Sequence, residues 1–269
     1  MDEKLKIILI GTGNVAHHLG PALQNTGHDI IQLIGRNKER TRELAEKLNV
    51  DFITDFKNLK KNTDLIILSV SDNAIHDIIK KSEFGNALVV HTSGSVSMEV
   101  LNSLPNYGVF YPLQTFSKQR ALDFSEIPIF IEANSEKNII LLKKLALQLT
   151  PKVEIANSEK RKLLHLAAVF ACNFSNHMYA IAEYLLEKNG FKFEYLEALI
   201  METARKSLEY KPQNAQTGPA LRNDKNTIDK HLALLSEEAD FQKIYSFVSK
   251  SILDFSKEAN CNNLPEIQE

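Results

Sequence analysis

A short apolar run, Ile7-Ile8-Leu9-Ile10, leads straight into Gly11-Thr12-Gly13-Asn14-Val15-Ala16, and this junction constrains the fold more than any other stretch of the chain. The pattern G-x-G-x-x-A, following a strand and opening a helix, has a specific physical reading. Gly11 permits the tight turn, and Gly13 lets the backbone approach a pyrophosphate. Ala16 allows close packing of helix on strand, while Thr12, Asn14 and Val15 complete a loop whose amides and positive helix end suit an anion. A dinucleotide-binding domain is therefore expected at the start of the chain.

The rest of the first half fits that expectation. Apolar runs at 6–10, 29–34, 65–70, 87–91, 108–110 and 127–132 read as strands, with helical patterns such as 15–26 and 38–48 between the early ones. Strands that are apolar throughout, alternating with helices, indicate a mostly parallel, doubly wound sheet covered on both faces. A last strand-like run at 152–156 closes this half. Beyond it the pattern is helical at 158–189, 194–208, 226–235 and 241–258, with Asn157 placed to start the first helix and Asn189-Gly190 to stop it. The expected organisation is an α/β Rossmann domain at 1–156 and an all-α domain at 157–269. The 14 residues from Lys211 to Asp224 read as a loop long enough to have a role.

The end of the second strand bears on the choice of nucleotide. An NAD binder usually places a carboxylate there to hold the ribose 2′-hydroxyl. This chain reads Ile34-Gly35-Arg36-Asn37-Lys38 instead. A guanidinium grips a phosphate in a fork, so Arg36 and Asn37 point to NADP(H). Val70 and Ser71 follow the third strand, and Thr92 and Ser93 follow the next. Both pairs lie at strand C-termini, where open α/β sheets place their ligands.

Composition excludes several other classes. With 269 residues, 43% of them hydrophobic, the chain can bury a sizeable core. A net charge of −2 argues against a nucleic-acid footprint. Two cysteines, Cys172 and Cys261, are too few for a disulfide framework or a thiolate zinc site. The histidine spacings include no H-E-x-x-H, and the adjacent pair His17-His18 points in two directions on a helix, so no metal is expected. The apolar start is short and runs into a glycine turn, unlike a signal peptide, and the stretch 163–172 falls far short of a membrane span. A cytoplasmic protein with neither membrane nor nucleic-acid partner is expected.

The motifs GTGNVAHHL (11–19), HTSGS (91–95), YPLQTFS (111–117), KRKLLHLAAVFACNFSNHM (160–178) and TGPALRND (217–224) together resemble a family of uncharacterised bacterial Rossmann-like oxidoreductases. That family is related to pyrroline-5-carboxylate reductase, ketopantoate reductase and the 6-phosphogluconate and 3-hydroxyisobutyrate dehydrogenases. The resemblance covers nearly the whole chain. It implies a helical C-terminal domain like that of 6-phosphogluconate dehydrogenase and a homodimer formed through those helices. Two positions depart from the family pattern: Tyr111 stands where His is commoner, and Asn223 where Gly is commoner. The lysine–asparagine pair of the hydroxyacid dehydrogenases has no counterpart here.

Reduction of C=O or C=N needs a proton as well as a hydride. His165, in an apolar helix, is the first candidate to supply it. Cys172 and Asn176 fall on nearly the same face of an uninterrupted α-helix, with Asn173 beside them, so Asn173 and Asn176 join His165 as candidate catalytic residues. Ser95, Gln114 and Thr115 are candidates to orient substrate, and Arg222 to bind a substrate carboxylate or phosphate or to reach into a partner subunit. The helix around 163–172 is apolar all round, as expected of one buried between domains or subunits. The leading expectation is an NADP(H)-dependent oxidoreductase acting on a small polar substrate that carries a carboxylate. The alternatives are an NADP-binding sensor or assembly protein without turnover, and pyrroline-5-carboxylate reductase itself.

Overall fold

The structure is a computed structural model and describes residues 4–56 and 58–262, with side-chain burial assigned up to Lys257. The first three residues, on which the leader-peptide expectation partly rests, and the side chain of Cys261 lie outside this description. The chain forms two compact units, 1–174 and 175–269.

The first unit is an eight-stranded sheet in the order β3-β2-β1-β4-β5-β6-β7-β8. Its strands are β1 Lys6–Ile10, β2 Asp29–Ile34, β3 Phe52–Ile53, β4 Leu65–Leu68, β5 Leu88–His91, β6 Tyr107–Pro112, β7 Ile129–Ala133 and β8 Val153–Ile155. All neighbours pair in parallel except β6 and β7, which run antiparallel with Phe110 opposite Ile131. The first six strands follow the doubly wound order 3-2-1-4-5-6, whose reversal between β1 and β4 opens a crevice at their C-terminal ends. Helices α1 Asn14–Asn25, α2 Lys38–Leu48, α3 Asp72–Lys81, α4 Glu136–Leu149 and α5 Ser158–Ala168 belong to the same unit.

The central strands are apolar on both faces because both faces are covered. Ile7, Leu9 and Ile67 join one core cluster with Leu19 and Leu23 of α1 and Leu44 of α2. Ile8, Ile10 and Ile66 join the other with Ile75 and Ile78 of α3. Ala16 is fully buried, as the fingerprint requires. Gly20 serves the same contact: a methyl group there would lie 3.2 Å from Leu9 and 3.1 Å from Leu48.

Two expectations need correction. The short β3 was not anticipated. The helix expected over 158–189 is interrupted by a π-helical turn at Val169–Phe174 before α6 Ser175–Lys188 begins. Such a turn carries an extra residue, so the 3.6-residue spacing of a continuous α-helix does not run through it. The apolar stretch 163–172, expected to lie between domains or subunits, is open in the single chain: Leu163, Leu166 and Phe170 are 68%, 53% and 62% exposed.

The sheet-to-helix change falls at 156–158, whereas the compact units divide after Phe174 because α5 is tied to the sheet. Glu132 of β7 accepts the Ser158 backbone N–H at 2.9 Å and also pairs with Arg161. The second unit holds α6, then α7 Glu197–Tyr210, the one-turn α8 Pro212–Ala215, α9 Lys225–Leu234 and α10 Ala239–Asn262. The expected loop after Lys211 thus contains a helical turn.

Candidate functional site

A cleft of about 740 Å³ opens along the C-terminal edge of the sheet, and all its walls belong to the first unit. It runs from Arg36 and Arg40 beyond β2, across the Gly11–Val15 loop, to Ser95, Gln114, Tyr111 and His165. The volume falls in the range of sites that bury a small-molecule ligand.

The loop after β1 is shaped for close approach. Gly11 has φ +119°, and a Cβ there would meet the Ser69 carbonyl oxygen, at the end of β4, at 1.9 Å. The switch point of the sheet thus leaves no room for a side chain at Gly11. At Gly13 a Cβ would meet nothing within 4 Å, so its backbone faces open space. Gly13 is also the N-cap of α1, and neither a capping side chain nor an acidic residue in the first turn attends it. Helix N-termini normally recruit Ser, Thr, Asp or Asn to satisfy their first amides. Here that position faces the cleft, as the pyrophosphate of a dinucleotide requires. These features fit the cofactor that the fingerprint implies.

The other cofactor candidates are distributed as follows. Thr12, Asn14, Val15, Arg36, Asn37, Val70, Ser71, Thr92 and Ser93 all line the cleft, whereas Ala16 lies in the core beneath it. Asn37 also caps α2, accepting the Arg40 backbone N–H at 2.9 Å. Arg40, absent from the sequence expectations, brings a second guanidinium to the Arg36 end of the cleft. Its spacing of four residues from Arg36, in the first turn of α2, was the available signal. Gly35 permits the packing below: a Cβ there would lie 2.4 Å from the Thr41 hydroxyl and 2.8 Å from Thr12.

At the opposite end, the loop after β5 is a hydrogen-bonded turn. Ser93 Oγ accepts the N–H groups of Ser95 and Val96 at 3.2 and 3.1 Å, and the Ser95 hydroxyl donates to the Asp72 carboxylate. The Ser93 N–H donates to His91 Nδ1 at 3.2 Å. Burial, reinforced by the Arg161 charge, pushes His91 down to about 4, so its ring is neutral at physiological pH. The segment after β6 crosses the start of α1, where the Asn14 side chain donates to the Phe116 carbonyl at 2.7 Å. Gln114 lines the cleft. Thr115 does not: its N–H donates to Gln114 Oε1 at 2.7 Å, so it steadies Gln114 rather than facing the cleft itself.

His165 lies in the cleft wall, and its Nδ1 is 3.0 Å from the Tyr111 hydroxyl. Burial raises Tyr111 to about 12, against a smaller opposing effect of the Arg161 charge. Sequence reasoning noted Tyr111 only as a departure from a family pattern. Its position at the C-terminal end of a strand was a signal that could have marked it. Gly94 makes room for the pair: a Cβ there would strike Tyr111 Cζ at 2.7 Å and His165 Nδ1 at 2.8 Å. Asn173 is exposed within the π turn, while Asn176 and Arg222 are exposed residues of the second unit. Among the described residues, no group of three or more His, Cys, Asp or Glu side chains could hold a metal ion, and no helix is long and apolar enough to cross a membrane.

Comparisons with known proteins agree with this geometry. Residues 6–94 match the family described as "NADP oxidoreductase coenzyme F420-dependent". Residues 127–252 match a domain of unknown function, DUF2520. A solved structure from Bacteroides fragilis, described as a "putative NADP oxidoreductase", is 46% identical with a TM-score of 0.87, and the match covers 93% of this chain and 98% of that one. A pyrroline-5-carboxylate reductase from Coxiella burnetii is 18% identical, with a TM-score of 0.57 over 95% and 98% of the two chains. An imine reductase from Myxococcus stipitatus in complex with NADP+ is 17% identical, with a TM-score of 0.64 over 96% and 95%. At such identities the likeness is one of fold. An uncharacterised 28.5 kDa protein of Methanothermus fervidus is 32% identical over 77 residues, a match spanning 29% of this chain and 30% of that relative's length.

Proposed function

This chain belongs to the family of NADP oxidoreductases that includes its Bacteroides fragilis relative, and from that premise we propose that it reduces or oxidises a small polar substrate at the C=O or C=N level in the cleft above the sheet. The observation that carries this reading is the continuity of the cleft, which joins the paired guanidiniums, the glycine loop and the Tyr111–His165 pair in one channel.

The bound cofactor supplies or accepts the hydride. The protein's own groups do the rest. Backbone amides at the start of α1 would hold the pyrophosphate, and Arg36 and Arg40 would hold the 2′-phosphate by charge-assisted hydrogen bonds. Val70, Ser71, Thr92 and Ser93 would serve the nicotinamide half. Ser95 and Gln114, the latter steadied by Thr115, orient the substrate, and the proton originates at His165, whose Nδ1 lies 3.0 Å from the Tyr111 hydroxyl. Arg222, which forms no ion pair among the described residues, is proposed to receive a substrate carboxylate, and Asn173 and Asn176 are proposed as further polar groups for the substrate. In this reading the segment 157–269 serves substrate binding and dimerisation. Kinship of fold with imine and pyrroline-5-carboxylate reductases supports a C=N substrate by analogy. Proline formation from pyrroline-5-carboxylate tests that member of the class directly. The hydrogen-bonded Tyr111–His165 pair favours turnover over a sensor role, because a sensor needs no proton supply.

Calorimetric titration with NADPH and NADH in parallel tests the reading. NADPH is expected to bind the parent protein more tightly than NADH. Arg36→Ala and the Arg36→Ala/Arg40→Ala double variant are expected to weaken NADPH about 10- to 100-fold, since a hydrogen bond to a charged group contributes about 1.5–3 kcal/mol. NADH binding should change little. Failure of the parent to bind either nucleotide would sink the proposal.

A further inference from the structure

We propose that Tyr111 is the catalytic residue that hands the proton to the substrate, and that His165 acts behind it by returning a proton to the Tyr111 oxygen. The proposal rests on the reading above that the cleft is an NADP(H)-dependent oxidoreductase site.

Three observations carry it. Both side chains line the cleft, and the Tyr111 oxygen and His165 Nδ1 are within hydrogen-bond distance at 3.0 Å. The rings meet edge-on, with centroids 6.1 Å apart at 74°, so the imidazole nitrogen rather than its face addresses the phenol. The loop after β5 also lies directly on the pair, and glycine is the residue that fits there without a clash. That contact places the pair beside Ser93 and Ser95, at the sheet edge where the reacting carbon belongs.

The chemistry fixes the order of the two groups. A buried phenol whose pKa lies at about 12 is a poor place to leave a negative charge. The phenol O–H can break toward the substrate provided that another proton arrives at the same oxygen. In reduction, the substrate carbon receives the hydride and the C=O or C=N π pair moves onto the heteroatom. The heteroatom takes the Tyr111 hydroxyl proton, the imidazolium Nδ1 proton re-forms the Tyr111 O–H bond, and His165 is left neutral to be recharged from solvent. No tyrosinate persists. Oxidation runs the same path backwards.

The charged and titratable surroundings do not compete with this relay. Arg161, one turn earlier on α5, is paired with Glu132 of β7. His91 of β5 is neutral, and Asp72 of α3 is bonded to Ser95.

The test uses the full chain with Tyr111→Phe, which removes one hydroxyl and keeps the ring that packs near Phe130. Three readouts are taken: NADPH affinity, the NMR pH titration of the His165 ring, and NADPH oxidation against a panel of cyclic imines and small 2-oxo acids. The expected result is unchanged NADPH affinity, a displaced His165 titration and a kcat lowered by about 10²- to 10⁴-fold, the usual worth of a positioned general acid. A Phe variant that keeps the parent's kcat overturns the role of Tyr111, as does a loss of activity that merely tracks a loss of NADPH affinity. An unshifted His165 titration removes His165 from the relay. A parent protein that binds NADPH but reduces none of the panel fails at the earlier step, overturning the reductase reading and this proposal together.

Discussion

His91 shows how one residue couples the site to stability. Its side chain is fully buried at the end of β5, with Nδ1 accepting the Ser93 N–H. Its pKa falls from 6.5 to about 4, chiefly through burial and then through the Arg161 charge. A histidine depressed in the folded state takes up its proton more readily when unfolded. The stability it contributes is therefore full above pH 6.5 and is lost as pH falls toward 4. A shift of this size corresponds to about 3 kcal/mol. Urea unfolding at pH 7.5, 5.5 and 4 should show that loss in the parent protein, and His91→Gln should flatten it. An equally steep decline in the variant would assign the acid sensitivity elsewhere. The same residue illustrates what was legible beforehand. His91 was visible as a strand end, and Ser93 and Ser95 as cleft residues. Their hydrogen bonds to one another and to Asp72 depend on β4 lying beside β5, which no local pattern encodes. Tyr111 escaped for a related reason: in a run reading Tyr-Gly-Val-Phe-Tyr-Pro its ring looks like core, and its function depends on a histidine 54 positions away.

Among the elements, α5 is the one whose placement determines the chemistry. Asn157 caps it, accepting the Lys160 N–H at 2.9 Å, and Glu132 receives both Ser158 hydrogen bonds and the Arg161 guanidinium. Arg161 also donates to the Val96 carbonyl at 2.5 Å, tying the helix to the loop after β5. Because Arg161 is fully buried and Glu132 only 14% exposed, removing one partner strands a charge. Arg161→Met should therefore cost about 3–5 kcal/mol, while replacing both, as in Arg161→Met/Glu132→Met, should recover a large part of that loss. Denaturation midpoints decide the matter: equal destabilisation of the single and double variants would show that the ion pair is not what matters there. At this scale the sequence was most readable where apolar runs and glycines punctuate it. The residues of β1, β2 and α2 were located to the residue, and Asn157 was recognised as a helix start. The two residues of β3 are too few to display a period, and the antiparallel direction of β7 is set by its neighbours. The π turn at Val169–Phe174 leaves no mark in an apolar stretch, which is why an α-helical face was assigned to Asn176.

For the whole molecule, the feature that bears on assembly is the apolar surface of the helices. Phe170 is 62% exposed, Tyr195 69%, Leu208 89%, Phe247 76% and Phe255 63%. Single exposed apolar residues are ordinary, but four such large ones on the helices of the second unit call for a cover. The all-round apolar helix around 163–172 was expected to be buried between domains or subunits, and one chain leaves Leu163, Leu166 and Phe170 exposed. A second copy of the chain is the proposed cover, since homo-oligomers with twofold symmetry bury the same patch on both partners. Light scattering at micromolar concentration should then give about twice the 30.4 kDa mass of one chain. Phe247→Asp alters a side chain that contributes little to the fold of its own chain, because most of it is already in solvent. A charge placed in a dimer interface must be desolvated without a partner, so this variant should shift the equilibrium to monomer while leaving the unfolding midpoint of the first unit, and NADPH binding in its cleft, unchanged. A parent protein that runs at monomer mass would remove the dimer from the account, and a variant that remains dimeric would move the interface away from α10.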